Sequence, residues 1–235
     1  MIDDPCSIED FPSLAQPLIG LRVSLPWKGY GTAIFLELGD LTSSETARHA
    51  EGEACISVEW DWRVERDRRV LFGSSNRKPR IERGLAFIQG ITIESVVVTG
   101  DVPELLVSFS GGLALRTTVM VTGDPQWSIK LRDGLWVYPR AGSLWMGEGG
   151  ESVSEEERRV FDLAERTAER WGKPVAPPTR GECRTCAWFV WLDGEGSLLD
   201  YGACISSESP FDGKVVNCTS GCPFHAVNAR GTEAV

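Results

Sequence analysis

The side chains best suited to chemistry in this sequence lie in its last quarter. The stretch reads C-R-T-C at 183–186, continues to G-A-C ending at Cys204, and closes with G-C-P-F-H at 221–225. Seventeen residues separate Cys186 from Cys204, and seventeen more separate Cys204 from Cys222. A C-x-x-C turn whose partners come from distant turns has the ligand spacing of a tetrahedral zinc site. We therefore predict a zinc ion bound by Cys183, Cys186, Cys204 and Cys222.

Two further residues compete for a place among these ligands. His225 is the substitute for one of the cysteines, and Cys218 is another thiol that the spacing does not exclude. A catalytic zinc keeps one position open for water, whereas four or five candidate ligands in one module predict a closed, structural site. A redox dithiol of Cys183 and Cys186 is the competing interpretation, although the pair lacks the βαβ setting of such motifs.

The composition is that of a globular chain without membrane spans. Hydrophobic residues make up 42% of the 235 residues, nine Trp are present, and no apolar run is long enough to cross a bilayer. The acidic N-terminus does not have the pattern of a secretory signal, and seven cysteines, an odd number, favour metal ligation and buried thiols over a disulfide framework. We expect a cytoplasmic protein. Its net charge of −10 argues against general nucleic-acid binding and suits recognition of a protein partner.

Strand patterns dominate the chain before the cysteines. We expect residues 1–16 to form a flexible acidic arm and residues 17–146 an all-β domain. Strands at 18–25 and 32–38 would form a first hairpin. Residues 54–65 alternate strictly, which predicts one strand with a single buried face; that face carries Ile56, Val58, Trp60, Trp62 and Val64.

Further strands follow at short spacing. One or two are expected within 85–99, and two hairpins are predicted by glycine turns, 105–110 with 113–121 and 127–131 with 135–137. No convincing helix precedes residue 147. The fold class is therefore mainly β with one long helix, its N-terminal domain being an antiparallel β-sandwich or a curled, barrel-like sheet.

One basic segment interrupts the acidic sequence. Residues 63–83 contain eight basic and three acidic side chains, a net charge of +5. The segment is either a solvated loop or strand edge, or a docking patch for a phosphate or an acidic partner. The candidate partner-binding residues are Arg66, Arg68, Arg69 and Arg80.

Residues 147–180 connect the β domain to the cysteines. A glycine-rich joint at 147–152 precedes a helix at 154–171, where Ser154 and Glu157 form a capping box. The apolar residues of the helix recur at helical spacing, and its apolar stripe would pack on the β domain or on the metal module. A proline-rich linker follows at 173–179.

The cysteines themselves belong to a small module at 181–230, with a tail at 231–235. A strand at 187–192 leaves the first metal-binding turn, residues 197–201 return towards Cys204, and a last strand at 214–217 precedes Cys222. This alternation of strands and turns is the outline of a zinc ribbon.

The order of these motifs resembles a known bacterial family. C-x-x-C at 183–186, G-x-C at 202–204, S-P-x-D-G-x-V-V at 209–216 and G-C-x-x-H at 221–225 are similar to a family of unknown function found mainly in actinobacteria. That family implies no activity, and Cys218 is outside its pattern. The first 140 residues, with W-S-I at 127–129 and D-G-L-W at 133–136, resemble small β-rich bacterial proteins encoded as immunity partners of toxins.

These patterns favour a non-enzymatic binding protein, immunity-like or inhibitory, with a structural zinc ion. Catalytic motifs such as G-x-S-x-G, Walker and G-x-G-x-x-G are absent, and the only histidines are His49 and His225. Two alternatives remain open. One is a zinc-dependent hydrolase that uses Asp200 or Asp212, and the other is a nucleic-acid accessory factor that uses the basic segment 63–83.

Overall fold

The computed structural model describes residues 3–29, 31–43, 49–122, 125–148, 155–171, 180–192 and 196–227. The chain divides into two units, an N-terminal unit at Met1–Gly150 and a C-terminal unit at Glu151–Ala234. None of the helices within the described ranges combines the length and the apolarity needed to span a bilayer.

The strands of the described residues fall into three antiparallel sheets. In chain order they are β1 (Asp4–Cys6), β2 (Val23–Lys28), β3 (Ile34–Thr42), β4 (Glu51–Val58), β5 (Trp62–Arg66), β6 (Arg69–Gly73), β7 (Ile93–Thr99), β8 (Glu104–Phe109), β9 (Leu113–Thr117), β10 (Trp127–Lys130), β11 (Trp136–Arg140), β12 (Ser143–Gly147), β13 (Phe189–Trp191), β14 (Tyr201–Cys204) and β15 (Val215–Asn217). The α-helices are α1 (Phe11–Ala15), α2 (Lys78–Ile88) and α3 (Glu155–Trp171). The predicted mainly β fold is confirmed.

Two sheets make up the N-terminal unit. One has seven strands in the order β1-β12-β11-β10-β4-β3-β2, and the other has five in the order β6-β5-β9-β8-β7. Each keeps two open edges among the described residues, and a bridge between Arg22 and Thr92 joins them where β2 approaches β7. A single cluster of buried apolar side chains contains residues of both sheets and of helices α1 and α2.

The strand predicted at 54–65 is two strands in different sheets. β4 ends at Val58 and β5 begins at Trp62, so the strict alternation continues across a break. Ile56, Val58, Trp62 and Val64 are buried as predicted, but Trp60 lies in the break and is 41% exposed. The prediction of one continuous strand is wrong, because a chain that crosses between sheets can preserve the alternation of apolar residues.

Helix α2 was not predicted, and it occupies part of the basic segment. Its inner side carries four buried residues at helical spacing: Ile81, Gly84, Leu85 and Ile88. A Cβ on Gly84 would lie 2.5 Å from atoms of the Phe72 ring, so only glycine lets the helix approach β6 this closely. The expectation of a loop or strand edge is therefore wrong for residues 78–83. Of the one or two strands expected within 85–99, one is present at Ile93–Thr99, and residues 85–88 are helical instead.

The first residues of the chain also differ from the expected flexible arm. Asp4–Cys6 pairs with β12 as an edge strand, and α1 buries Phe11 and Ala15 almost completely. The Phe11 ring meets Trp127 edge to face, with ring centroids 6.0 Å apart. The acidic composition of residues 1–16 gave no indication that Phe11 and Ala15 fix this segment to the core.

The predicted hairpins are confirmed. β8 pairs with β9, and Gly111 and Gly112 adopt positive φ in the loop between them. β10 pairs with β11 across the Asp133-Gly134 turn, where Gly134 has a φ of 89°. The first hairpin is present as β2 and β3, shifted by several residues along the chain from its predicted position.

Two carboxylates stabilise a bulge between β3 and β4. The register shifts between Leu38 and Leu41, which displaces backbone N–H groups from regular pairing. The buried Glu37 carboxylate accepts from the N–H of Gly52 at 2.9 Å and from the Trp27 indole at 3.3 Å. Glu53 accepts from the N–H of Asp40 at 2.9 Å. These bonds supply the acceptors that the interrupted ladder lacks.

The C-terminal unit consists of α3 and the sheet β13-β14-β15. Helix α3 contacts the 196–200 segment of its own unit, but its predicted apolar stripe is only partly covered, since Ala164 is buried whereas Val160 and Leu163 are exposed. The Tyr201 hydroxyl donates to the Ala168 carbonyl at 3.0 Å, and its ring meets Trp171 edge to face at 5.4 Å. Residues 196–200 form a 3₁₀ helix instead of the predicted returning strand. Ser154 of the capping box, the 173–179 linker and the 231–235 tail lie outside the described residues.

Candidate metal centre

Three separate segments bring the four predicted ligands to one pocket. The 3₁₀ turn Cys183–Thr185 supplies Cys183 and precedes Cys186, the end of β14 supplies Cys204, and the 221–225 turn supplies Cys222. Phe189, Ser209, Phe211, Gly221 and His225 also line the pocket. The structure therefore brings together all four cysteines that the sequence pattern selected.

Backbone hydrogen bonds fix these segments to one another. The N–H of Cys183 donates to the Ser220 carbonyl at 2.7 Å, and the N–H of Arg184 donates to the Cys218 carbonyl at 2.9 Å. Cys186 also forms an isolated antiparallel bridge with Val227. The C-x-x-C turn is thus attached to the 218–227 segment along its length.

Gly202 of the G-x-C element makes room for an aromatic ring beside Cys204. A Cβ at position 202 would lie 2.4 Å from the Cζ atom of Phe189 and 2.6 Å from the Val190 carbonyl oxygen. Phe189 is the cross-strand partner of Cys204 and packs against the cysteine cluster. The small residue therefore allows this ring to cross β14 beside the pocket.

The S-P-F-D-G element forms a turn that closes the pocket. The Ser209 hydroxyl accepts from the N–H of Phe211 at 3.1 Å and lies 3.5 Å from the Cys222 sulfur. The N–H of Gly213, a residue with a φ of 68°, donates to the Cys204 carbonyl at 2.9 Å, and the N–H of Cys204 donates to the Lys214 carbonyl at 3.0 Å. The turn thereby places Phe211 against the thiols.

His225 is held at the edge of the pocket by a chain of hydrogen bonds. The Thr185 hydroxyl donates to the Glu182 carbonyl at 2.9 Å and lies 2.9 Å from Nε2 of His225. Because the hydroxyl has one proton, which it gives to Glu182, it accepts from Nε2–H, and Nδ1 keeps its lone pair. Gly181 lies against the imidazole, where a Cβ would come within 2.7 Å of Cε1 and Nε2.

The thiol of Cys183 lies in an environment that opposes its ionisation. Four thiols are buried, namely Cys183, Cys204, Cys218 and Cys222, and all seven cysteines of the chain are free of disulfides. The pKa of Cys183 is raised to about 12, first by burial and then by the thiols of Cys222, Cys186, Cys204 and Cys218. Across the described residues, no three His, Cys, Asp or Glu side chains stand in a geometry that would hold a metal ion.

The other predicted site residues lie elsewhere. Cys218 belongs to the strand-to-turn segment beside the C-x-x-C turn, and it is not among the pocket-lining residues. Asp200 and Asp212, the carboxylates considered for a hydrolase, do not line the pocket either. The four arginines considered for partner binding lie in the N-terminal unit, on the β5–β6 hairpin and on α2.

Sequence reasoning missed one further feature of the C-terminal unit, an exposed apolar face on its sheet. Side chains of one face point towards the cysteine cluster and those of the other towards solvent. The solvent-facing row is at least 36% exposed at every position; it comprises Val190, Leu192, Ile205 and Val215. The run W-F-V-W-L at 188–192 could have indicated this face, since a strand of consecutive large apolar residues presents apolar side chains on both of its faces.

The comparisons with known proteins concern the C-terminal unit. No curated protein and no solved structure matches the chain. Residues 151–228, about a third of the chain, match the model of a family described as "Protein of unknown function (DUF3027)". The match contains every motif of the predicted C-terminal resemblance, so the likeness of this region to a family of unknown function is confirmed.

Proposed function

We propose that the C-terminal unit binds one structural zinc ion through Cys183, Cys186, Cys204 and Cys222, and that the protein is a non-enzymatic binding protein. The observation that supports the zinc proposal is that four thiols, from three segments, line one pocket. Thiolates are the usual ligands of structural zinc, and four of them complete a tetrahedral shell. The donor types suit the ion, but the described side chains do not form a metal-binding geometry, so the ion would draw the thiolates together and cross-link the segments.

The small core of the unit supports the same proposal. Among the described residues, its cysteine cluster buries two apolar side chains that are not thiols, Phe211 and Val216. Together they contribute about 3–6 kcal/mol by burial. A structural zinc ion contributes about 10–16 kcal/mol in zinc-finger peptides, so it would exceed the burial of these two side chains. Domains with such limited cores commonly require a metal or disulfides, and the cysteines form no disulfide.

A binding role is favoured over zinc-dependent hydrolysis. Four cysteine ligands would leave no open position for water, and neither Asp200 nor Asp212 lines the pocket. The apolar face of β13, β14 and β15 supports binding, since exposed patches of this kind mark interaction sites. An immunity-like or inhibitory role, in which this face covers part of a partner protein, is the most concrete form of the proposal.

Elemental analysis combined with thiol counting tests the zinc site. We expect one zinc per chain and four thiols that react only after chelation. Cys218→Ser should retain the zinc and Cys222→Ser should lose it, and retention by both would make His225 the fourth ligand. Metal-free protein whose thiols react from the start would refute the site and return attention to a Cys183–Cys186 dithiol.

The binding role requires its own test. A Val190→Asp, Val215→Asp variant places two charges on the apolar face without touching the cysteine side of the sheet. We expect affinity capture with the full chain to recover a partner that this variant fails to recover. Hydrolysis of a model ester or peptide that depends on bound zinc would instead favour the enzyme.

A further inference from the structure

The basic segment forms one rigid surface on the N-terminal unit. We call it the arginine hairpin surface and define it by Arg66, Arg68 and Arg69 of the β5–β6 hairpin with Arg80 and Phe87 of α2. Arg80 donates from Nη2 to the Leu71 carbonyl at 2.6 Å, and the Arg66 guanidinium lies 5.8 Å from the Phe87 ring centroid. Helix and hairpin are therefore joined at both ends of the surface.

The hairpin places like charges against each other. Arg66 and Arg69 are direct cross-strand partners, so their side chains project from the same face. The two residues between them, Asp67 and Arg68, both adopt left-handed φ values, 51° and 63°, as the tight two-residue turn requires. Like charges placed directly opposite each other are destabilising, and an anion bound between them would remove that repulsion.

Internal carboxylates do little to neutralise this surface. The carboxylate nearest to Arg66 is that of Asp67, at 4.0 Å, and its side chain is 91% exposed. Within the described part of the chain, Arg68 and Arg69 form no ion pair. By contrast, the nearby Arg63 and Arg116 both bind Glu65, at 3.0 and 2.5 Å. Arg68 and Arg69, at the tip of the hairpin, are therefore available to bind an external anion.

The size and apolar content of the surface select the kind of anion. Phe87 is 44% exposed and its ring lies beside the Arg66 guanidinium, which suits a ligand that carries apolar groups as well as charge. Guanidinium groups bind carboxylates through two parallel hydrogen bonds. Residues 63–83 carry +5 in a chain of −10, so a nucleic acid that extends past the patch would meet acidic protein.

We infer that the arginine hairpin surface binds a short acidic segment of a partner protein in which carboxylates alternate with apolar side chains. The inference names a partner for the proposed binding role and therefore rests on it, but it is independent of the zinc ion. Arg68 and Arg69 contact the carboxylates, and Phe87 contacts the apolar side chains between them.

Fluorescence anisotropy with the full chain tests this inference. The probe is a fluorescein-labelled peptide of three Glu-Leu-Glu-Glu repeats, compared with a Gln-Leu-Gln-Gln peptide and with single-stranded and duplex DNA of similar length. We expect the acidic peptide alone to bind at low salt. Arg68→Glu combined with Arg69→Glu should weaken it by about a hundredfold, since the double variant loses two charge-assisted hydrogen-bond donors and reverses both charges. Arg140→Glu, an exposed change of the same sign, should alter the affinity by less than about twofold, because distant surface charges are largely screened.

Three results would overturn the inference. They are no binding of the acidic peptide at low salt, equal binding by the double variant and the wild-type chain, and tighter binding of DNA than of the peptide. Thermal unfolding and zinc content of each variant show that the fold is intact. A protein that fails these peptide tests but recovers a partner through its C-terminal apolar face would still satisfy the proposed function, so the two failures are distinguishable.

Discussion

Removing zinc should unfold the C-terminal unit and leave the N-terminal unit folded. The perturbation is either chelation or Cys204→Ser, which removes the ligand at the end of β14. The apolar burial that remains, from Phe211 and Val216, is worth about 3–6 kcal/mol. The lost metal term is about 10–16 kcal/mol, so burial alone cannot replace it.

Hydrogen exchange of four backbone amides measures this effect directly. The donors are in hydrogen bonds that join the metal-binding segments, with lengths from 2.7 to 3.0 Å: Cys183, Arg184, Cys204 and Gly213. If the unit loses even about 4 kcal/mol of stability, these amides should exchange about a thousandfold faster. Amides of the N-terminal unit provide the internal reference, such as Val23, which donates to the Ile91 carbonyl at 2.8 Å.

The matched control is Cys6→Ser, which makes the same replacement of sulfur by oxygen in the N-terminal unit. It should leave both zinc content and the four exchange rates unchanged. Unaltered protection of these amides in zinc-free protein would refute the argument, because it would show that packing and hydrogen bonds alone stabilise the unit.

Three further predictions concern the N-terminal unit. Glu37→Ala should lower the free energy of unfolding by about 1–3 kcal/mol, measured by urea denaturation, because the donors at the β3–β4 bulge lose a buried acceptor. Gly84→Ala should also destabilise the unit, since the contact with the Phe72 ring costs about 1–3 kcal/mol and outweighs a helix-propensity gain of about 1 kcal/mol. Arg116→Gln should destabilise the unit at neutral pH but not at low pH. Hydrogen bonding from Arg116 lowers the pKa of Glu65 below its ordinary 4.5. The stability that this bond contributes is therefore present above pH 4.5 and is lost as the pH falls through the pKa of Glu65 in the folded protein.

Each of these variants has a control of matched chemistry. Glu51→Ala removes an exposed carboxylate paired with Lys130 and should cost no more than about 1 kcal/mol. Ala86→Gly, on the exposed side of α2, should cost about 1 kcal/mol through propensity alone. Arg140→Gln should leave the pH dependence of unfolding unchanged. Equal effects of a variant and its control would contradict the structural reason given for that variant.

Sequence reasoning succeeded for features formed by residues close together in the chain and failed more often where distant segments meet. Hairpins such as β10–β11 were predicted because the Asp133-Gly134 turn and the flanking alternation are adjacent in the chain. Helix α3 was found for the same reason, its period being contained in one segment. Helix α2 was missed although its apolar spacing is regular, because its many charged residues were interpreted as a solvated loop.

Alternation did not reveal which sheet a strand joins. The alternating pattern of 54–65 is continuous, but its halves belong to β4 and β5 in different sheets, and Trp60 is left in the exposed crossing. The bulge at Leu38–Leu41 is equally invisible in the sequence, since Glu37 and Gly52 meet there only after β3 pairs with β4.

The sequence by itself predicted the mainly β character, the local hairpins and helix α3, and it selected four cysteines as candidate zinc ligands. These features depend on hydrophobic period, turn chemistry and ligand spacing, all of which can be read from the linear order of the residues. Only the tertiary structure decided that Cys183, Cys204 and Cys222 share a pocket, that Gly202 admits Phe189 beside it, and that Arg66 opposes Arg69 next to Phe87. Those relations depend on strand register and on packing between distant segments, which a linear pattern does not specify.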